Sequence, residues 1–105
     1  MQNLNSFDPV QARSNMVEQQ IRPWYMFDSQ ILDLFAAMQR ERFTPKDYVQ
    51  LAYSDCKVPL PQNQSMMPPR EEARMLQALN IQKSDLVLEI GTGSGFITSL
   101  LAHLS

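Results

Sequence analysis

Residues 85–96 read DLVLEIGTGSGF, and no other stretch narrows the fold so far. A short, nearly continuous apolar run suits a strand buried on both faces. Three alternate glycines, Gly91, Gly93 and Gly95, then turn the chain. Glycine admits positive φ and removes the Cβ that would block close approach of a ligand to the backbone. FITSLLAHL follows with Ile97, Leu100, Leu101 and Leu104 at helical spacing. The free N–H groups at such a helix start favour a polar or anionic ligand. Strand, glycine loop and helix together predict the first unit of a parallel α/β sheet.

Three kinds of glycine loop compete for this pattern. A phosphate-binding P-loop ends in Gly-Lys-Ser/Thr, and no lysine stands here, so it is excluded. A dinucleotide loop carries a glycine where this chain has Phe96. The pattern present is E-x-G-x-G-x-G from Glu89 to Gly95, which resembles the first motif of class I S-adenosylmethionine-dependent methyltransferases. An acid at the strand end suits a cofactor carrying an ammonium and a sulfonium. The plain alternative is a tight turn that holds nothing. An acid for ribose hydroxyls is expected roughly 20 residues past such a loop, and the sequence stops at Ser105. The expectation is therefore the front part of a longer protein.

The remainder reads as helices and one irregular stretch. Asp8 and Pro9 predict a helix start, with Gln11 at capping-box spacing. That helix is expected to run to about Ile21, with Val10, Val17 and Ile21 on its apolar face, and Pro23 ends it. Asp28 caps SQILDLFAAMQR, whose stripe is Ile31, Leu34, Phe35 and Met38. Thr44 and Pro45 predict a short helix in TPKDYVQLAY. The prolines of CKVPLPQNQSMMPP favour extended, irregular chain and interrupt any ladder at 59 and 61. Pro69 opens REEARMLQALN, with Glu71 and Glu72 set against the helix dipole and Asn80 as its stop.

Charge and composition remove several function classes. The net charge is -2 with no basic run, which argues against nucleic acid. No run nears the ~20 apolar residues of a membrane span, and the N-terminus has no signal-peptide core, so a cytoplasmic location is expected. The single cysteine, Cys56, and single histidine, His103, form no metal motif. Cys56 reads as packing and His103 as a solvated residue near a helix end. Trp24 and Tyr25 read as a cover over a helix junction.

NMVEQQIRP, ILDLFAAMQRERFTP, AYSDCKVPLPQNQSMMPP, EEARMLQAL and VLEIGTGSGF occur in an order that resembles protein-L-isoaspartate O-methyltransferases, which act in protein repair. The resemblance runs from about Asn15 to His103. It implies a doubly wound, Rossmann-like sheet, incomplete in this chain. Residues 1–69 would be an N-terminal helical cap with a proline-rich segment, and 70–105 the start of the S-adenosylmethionine-binding domain. It places Glu89, Gly91, Thr92, Gly93, Ser94 and Gly95 at the cofactor, with Ser65 and Met66 beside it; no catalytic residue is assigned. The implied partner is a protein or peptide carboxylate, which in-line positioning and partial loss of water would activate. One position departs: Met67 stands where the family has a serine at the substrate carboxylate, and a thioether donates no hydrogen bond. Either Ser65 substitutes after a local shift or the acceptor differs, and the second reading predicts weak isoaspartyl methylation by an intact parent.

The competing reading is a non-enzymatic helical interaction module with a vestigial methyltransferase motif; a nicotinamide-binding fragment is a third. The isolated chain is expected to be catalytically inactive. Its lone strand would pair with a second copy or stay poorly ordered.

Overall fold

The computed structural model describes residues 7–105. Four α-helices, a two-stranded hairpin and several tighter turns make up the described chain: α1 (Pro9–Met16), α2 (Ser29–Ala37), β1 (Val58–Leu60), β2 (Gln64–Met66), α3 (Pro69–Leu79) and α4 (Phe96–Leu104). The first six residues of the expected 1–69 region lie outside the described residues.

Local chemistry sets most helix ends. The Asp8 carboxylate accepts the N–H groups of Val10 and Gln11 at 3.1 and 3.2 Å, and Asp28 does the same for Gln30 and Ile31. The capping box does not close, because the Gln11 amide donates forward to Asn15 at 2.9 Å. Past Met16 the helix widens into a π-helical stretch, Val17–Ile21, and then tightens into a 3₁₀ turn at Arg22–Trp24. Met16, Val17 and Ile21 are buried, whereas Val10, in the first turn of α1, is 67% exposed. α2 ends at Ala37, earlier than its apolar spacing implies, and Leu32 joins Ile31 and Phe35 in the core. Thr44 is no cap: its hydroxyl donates to the Arg40 carbonyl at 2.9 Å, and Pro45 precedes the short 3₁₀ segment Lys46–Leu51. Asn80 stops α3 in the left-handed region at φ 49°.

The proline-rich stretch holds the hairpin. Val58 faces Met66, Pro59 faces Ser65 and Leu60 faces Gln64 in antiparallel register. A two-stranded ribbon leaves an open edge on each strand, so Pro59 can lack a donor and still sit in the ladder, against the sequence-based expectation. Gln62 and Asn63 turn the chain with φ of 64° and 60°.

Residues 86–90, expected as a doubly buried strand, form no ladder among the described residues. Leu86, Leu88 and Ile90 stand 85–102% exposed. Among the described residues the two strands present pair only with each other, and neither open edge of that ribbon takes up residues 86–90. With no hydrogen-bonded neighbour, amides 86–90 are expected to exchange about a hundredfold or more faster than those in the middle of α3. Equal protection in a hydrogen-exchange measurement would show a pairing that this fold lacks.

Met16, Ile21, Phe35, Val58, Leu76, Phe96 and Leu100 belong to one buried cluster. Residues from both sides of position 69 share this cluster, and Phe96 of α4 meets Phe35 of α2 with ring centres 5.8 Å apart. The helix-rich body with its hairpin is compatible with an α/β class. Among the described residues no helix is long and apolar enough to cross a membrane.

Candidate cofactor groove

Three positive φ angles explain the glycines. Gly91, Gly93 and Gly95 adopt 77°, 56° and 89°, where a side chain is strained. The Gly95 N–H closes a turn on the Thr92 carbonyl at 2.9 Å, and Gly95 then starts α4 with no side-chain cap. The first amide groups of α4 are therefore available to a ligand.

A groove of about 370 Å³ runs between this loop, the hairpin and the exposed faces of α3 and α4. Glu89, Gly91, Thr92, Gly93 and Ser94 line it together with Ser65, Met66 and Met67. Gly95 does not line it; its role is the start of α4. A Cβ on Gly91 would meet nothing within 4 Å, so that residue leaves open space at the groove. A Cβ on Gly93 would instead point at Leu60 Cδ1, 3.5 Å away. That distance is an ordinary contact, so the strain on any side chain at 93 comes from its φ of 56°.

Sequence reasoning missed the helical part of the lining. Glu72, Met75 and Leu79 line it from one face of α3, and Ile97 and Leu101 from one face of α4. Spacings of three and four residues on α3, and four on α4, were the available signal.

Glu89 accepts the hydroxyl of Thr98, a short contact that ties the loop's entry to α4. Glu72 is buried and bound to Arg40, whose side chain is 1% exposed. Arg40 also donates to the Ala52 carbonyl at 2.6 Å and to the Met67 carbonyl at 2.9 Å, and it lies 4.8 Å from the Phe96 ring centre. Burial pushes the Glu72 carboxyl up to about 7, with the adjacent guanidinium pulling the other way. Beside this pair, the Tyr53 hydroxyl donates to Glu41 and accepts from Arg13 Nε and the Arg40 N–H, each at 3.0 Å. Arg40 thereby joins the Met67 backbone, α3 and the start of α4, three parts of the groove wall.

Trp24 lies on Arg70, 4.0 Å from ring centre to guanidinium, and its carbonyl accepts from Arg74 at 3.0 Å. It covers the junction with α3, away from the groove. The His103 ring nitrogen contacts the Ser99 carbonyl at 2.9 Å, and Cys56 is a half-buried free thiol.

Residues 11–105 match the family model described as Protein-L-isoaspartate(D-aspartate) O-methyltransferase (PCMT). A protein-L-isoaspartate O-methyltransferase of Petrotoga mobilis is 42% identical over 89 residues, covering 85% of this chain and 42% of that protein. A protein-L-isoaspartate O-methyltransferase 2 of an Anaeromyxobacter species is 37% identical over 97 residues, covering 92% of this chain and 40% of that protein. The chain spans about two fifths of the length of these relatives.

Proposed function

The chain belongs to the protein-L-isoaspartate O-methyltransferase family, and on that premise we propose that it supplies the helical cap and first cofactor loop of an S-adenosylmethionine-dependent enzyme methylating a protein or peptide carboxylate. The observation that carries this reading is the groove that Glu89, the Gly91–Gly93 turn, Met66 and Met75 line together. Its residues suit the cofactor. Glu89 keeps one carboxylate oxygen free of Thr98 for a cation, Gly91 leaves open space, and flexible methionines offer an adaptable apolar wall. The α4 amides and the Thr92 and Ser94 hydroxyls add donors for a carboxylate or ribose.

When bound, S-adenosylmethionine supplies a methyl group on a cationic sulfur, which a carboxylate oxygen takes to give a methyl ester and a neutral thioether with no proton moved. The protein's own contribution is to hold, orient and partly desolvate the reacting groups. Met67 lines the groove and engages Arg40 through its carbonyl. Ser65, exposed and also at the groove, is the only nearby hydroxyl of this segment. With no hydroxyl at position 67, isoaspartyl selectivity is not part of this proposal.

Calorimetric titration of the chain tests the reading. S-adenosylmethionine is expected to bind and NAD not to bind. Glu89→Gln, which keeps size and removes charge, is expected to weaken binding about tenfold, the range of a charge-assisted contact. A folded chain that binds no S-adenosylmethionine would favour the non-enzymatic interaction module instead.

A further inference from the structure

One buried side chain ties three parts of the groove lining together. The Arg40 guanidinium is bound to Glu72 of α3, donates through Nη2 to the Met67 carbonyl at 2.9 Å, and stands 4.8 Å from the ring centre of Phe96, the first residue of α4. Glu72, Met67 and Phe96 all line the groove, whereas Arg40 does not. Arg40 is itself held by the Ala52 carbonyl, which accepts from its Nε at 2.6 Å, and by the Tyr53 hydroxyl, which accepts from its N–H at 3.0 Å. A guanidinium is planar and presents its donors in a rigid fork, so it fixes the spacing of the groups it binds.

The charge at this corner of the groove is balanced by the pair alone. Glu72 faces Arg40 from α3; Tyr53 and Cys56 are the other titratable groups that act on Arg40, and Tyr53 in turn meets Glu41 and Arg13. Within the groove lining Glu89 is the only other charged residue, and the hairpin and α4 contribute none. With Glu72 ionised, the pair is neutral. With Glu72 protonated, Arg40 becomes an uncompensated cation beneath the lining, and its bond to Glu72 loses charge assistance.

We propose that the Arg40–Glu72 pair is a positioning element of the groove, which takes a cationic cofactor most tightly while both partners are charged. The proposal rests on the S-adenosylmethionine reading and adds a control on that same site. Both consequences of protonation act in one direction: a bare cation opposes a sulfonium, and a looser tie between α3 and the Met67 backbone opposes a fixed groove. Burial already holds the Glu72 carboxyl up at about 7. Cofactor affinity is therefore present above that value and falls as pH drops through it. Stability runs the other way. A carboxyl titrating above its ordinary range contributes most to stability when protonated, and that contribution is lost as pH rises through about 7. A residue acting on the groove only through the folded fraction would make binding and stability fall together.

The test is calorimetric titration of the chain with S-adenosylmethionine at pH 8 and pH 6, with urea unfolding at both. The parent's affinity is expected to drop about fivefold from pH 8 to pH 6, while the Glu72 contribution to stability rises. Glu72→Gln keeps a hydrogen bond to Arg40 and loses the charge. It is expected to bind about tenfold more weakly than the parent at pH 8 and within about twofold of it at pH 6. Comparing the two proteins at each pH removes the cofactor's own titration. Glu89→Gln is expected to keep the parent's ratio between the two pH values, because the Arg40–Glu72 pair is intact in it. Equal affinity of Glu72→Gln and parent at pH 8, or the same ratio between the two pH values in both, overturns this inference and leaves the cofactor reading standing. A folded parent that binds no S-adenosylmethionine at either pH overturns both.

Discussion

Arg40→Met is expected to remove about 3–5 kcal/mol of stability, the range for breaking one side of a buried, hydrogen-bonded ion pair. Arg40 is 1% exposed and serves Glu72, the Ala52 carbonyl and the Met67 carbonyl at once. Methionine fills much of the volume but satisfies none of the three acceptors. A small domain holds about 5–15 kcal/mol in total, so the variant would sit near the edge of folding. Glu72→Gln is expected to cost less, about 1–2 kcal/mol, because an amide oxygen still accepts from Arg40. The Arg40→Met/Glu72→Leu double variant should recover only part of the loss, since the two carbonyls remain unsatisfied. Urea unfolding of all three variants checks this. An Arg40→Met curve within about 0.5 kcal/mol of the parent would show that the network carries no net stability.

That network also marks where sequence reading stops. The helix caps at Asp8 and Asp28 and the left-handed stop at Asn80 were legible because each is a contact within three or four residues of chain. The glycine loop was legible for the same reason: positive φ at three alternate positions is a local demand. Arg40 and Glu72 are 32 residues apart, and no local pattern distinguishes a buried arginine in QRERF from its exposed neighbour Arg42. Glu72 read correctly as a first-turn acid on α3, yet the winding of that helix turns it inward, where burial and Arg40 govern it. The first helix is a second such case. A 3.6-residue period put Val10 on the apolar face with Val17 and Ile21, but Val10 stands exposed in the first turn and Met16 is buried with Val17 and Ile21.

The run at 86–90 separates propensity from structure most clearly. Its residues are those of a buried strand, but a strand exists only with a hydrogen-bonded neighbour. Among the described residues the hairpin pairs only with itself and residues 86–90 dock on neither of its edges, so the apolar residues stay outside while the loop after them is formed. The loop does not depend on the strand because α4 anchors it from the other side, and Phe96 is the anchor.

Phe96→Ala is therefore expected to be the second large loss, about 3–5 kcal/mol, as for other buried aromatic truncations. Phe96 is 2% exposed and meets Phe35 and Phe43 edge to face, with ring centres 5.8 and 5.6 Å away. Each such pair adds about 0.5–1.5 kcal/mol beyond area burial, and the Arg40 guanidinium over the ring adds a further contact. Phe96 also directly follows Gly95 and lines the groove, so the same ring that fills the core fixes where the glycine loop leaves it. In the sequence this residue served only to exclude a dinucleotide loop; in the fold it is the reason the loop is held at all. Phe96→Leu, which keeps apolar volume but not the edge contacts, should cost about half as much and leave the groove formed. Urea unfolding gives the energies, and the amide shifts of Gly91 and Gly93 report the loop. A folded Phe96→Ala chain with parent-like stability and unchanged loop shifts would mean that α4 is held by Leu100 and Leu104 alone, and that the glycine turn keeps its shape without the core beneath it.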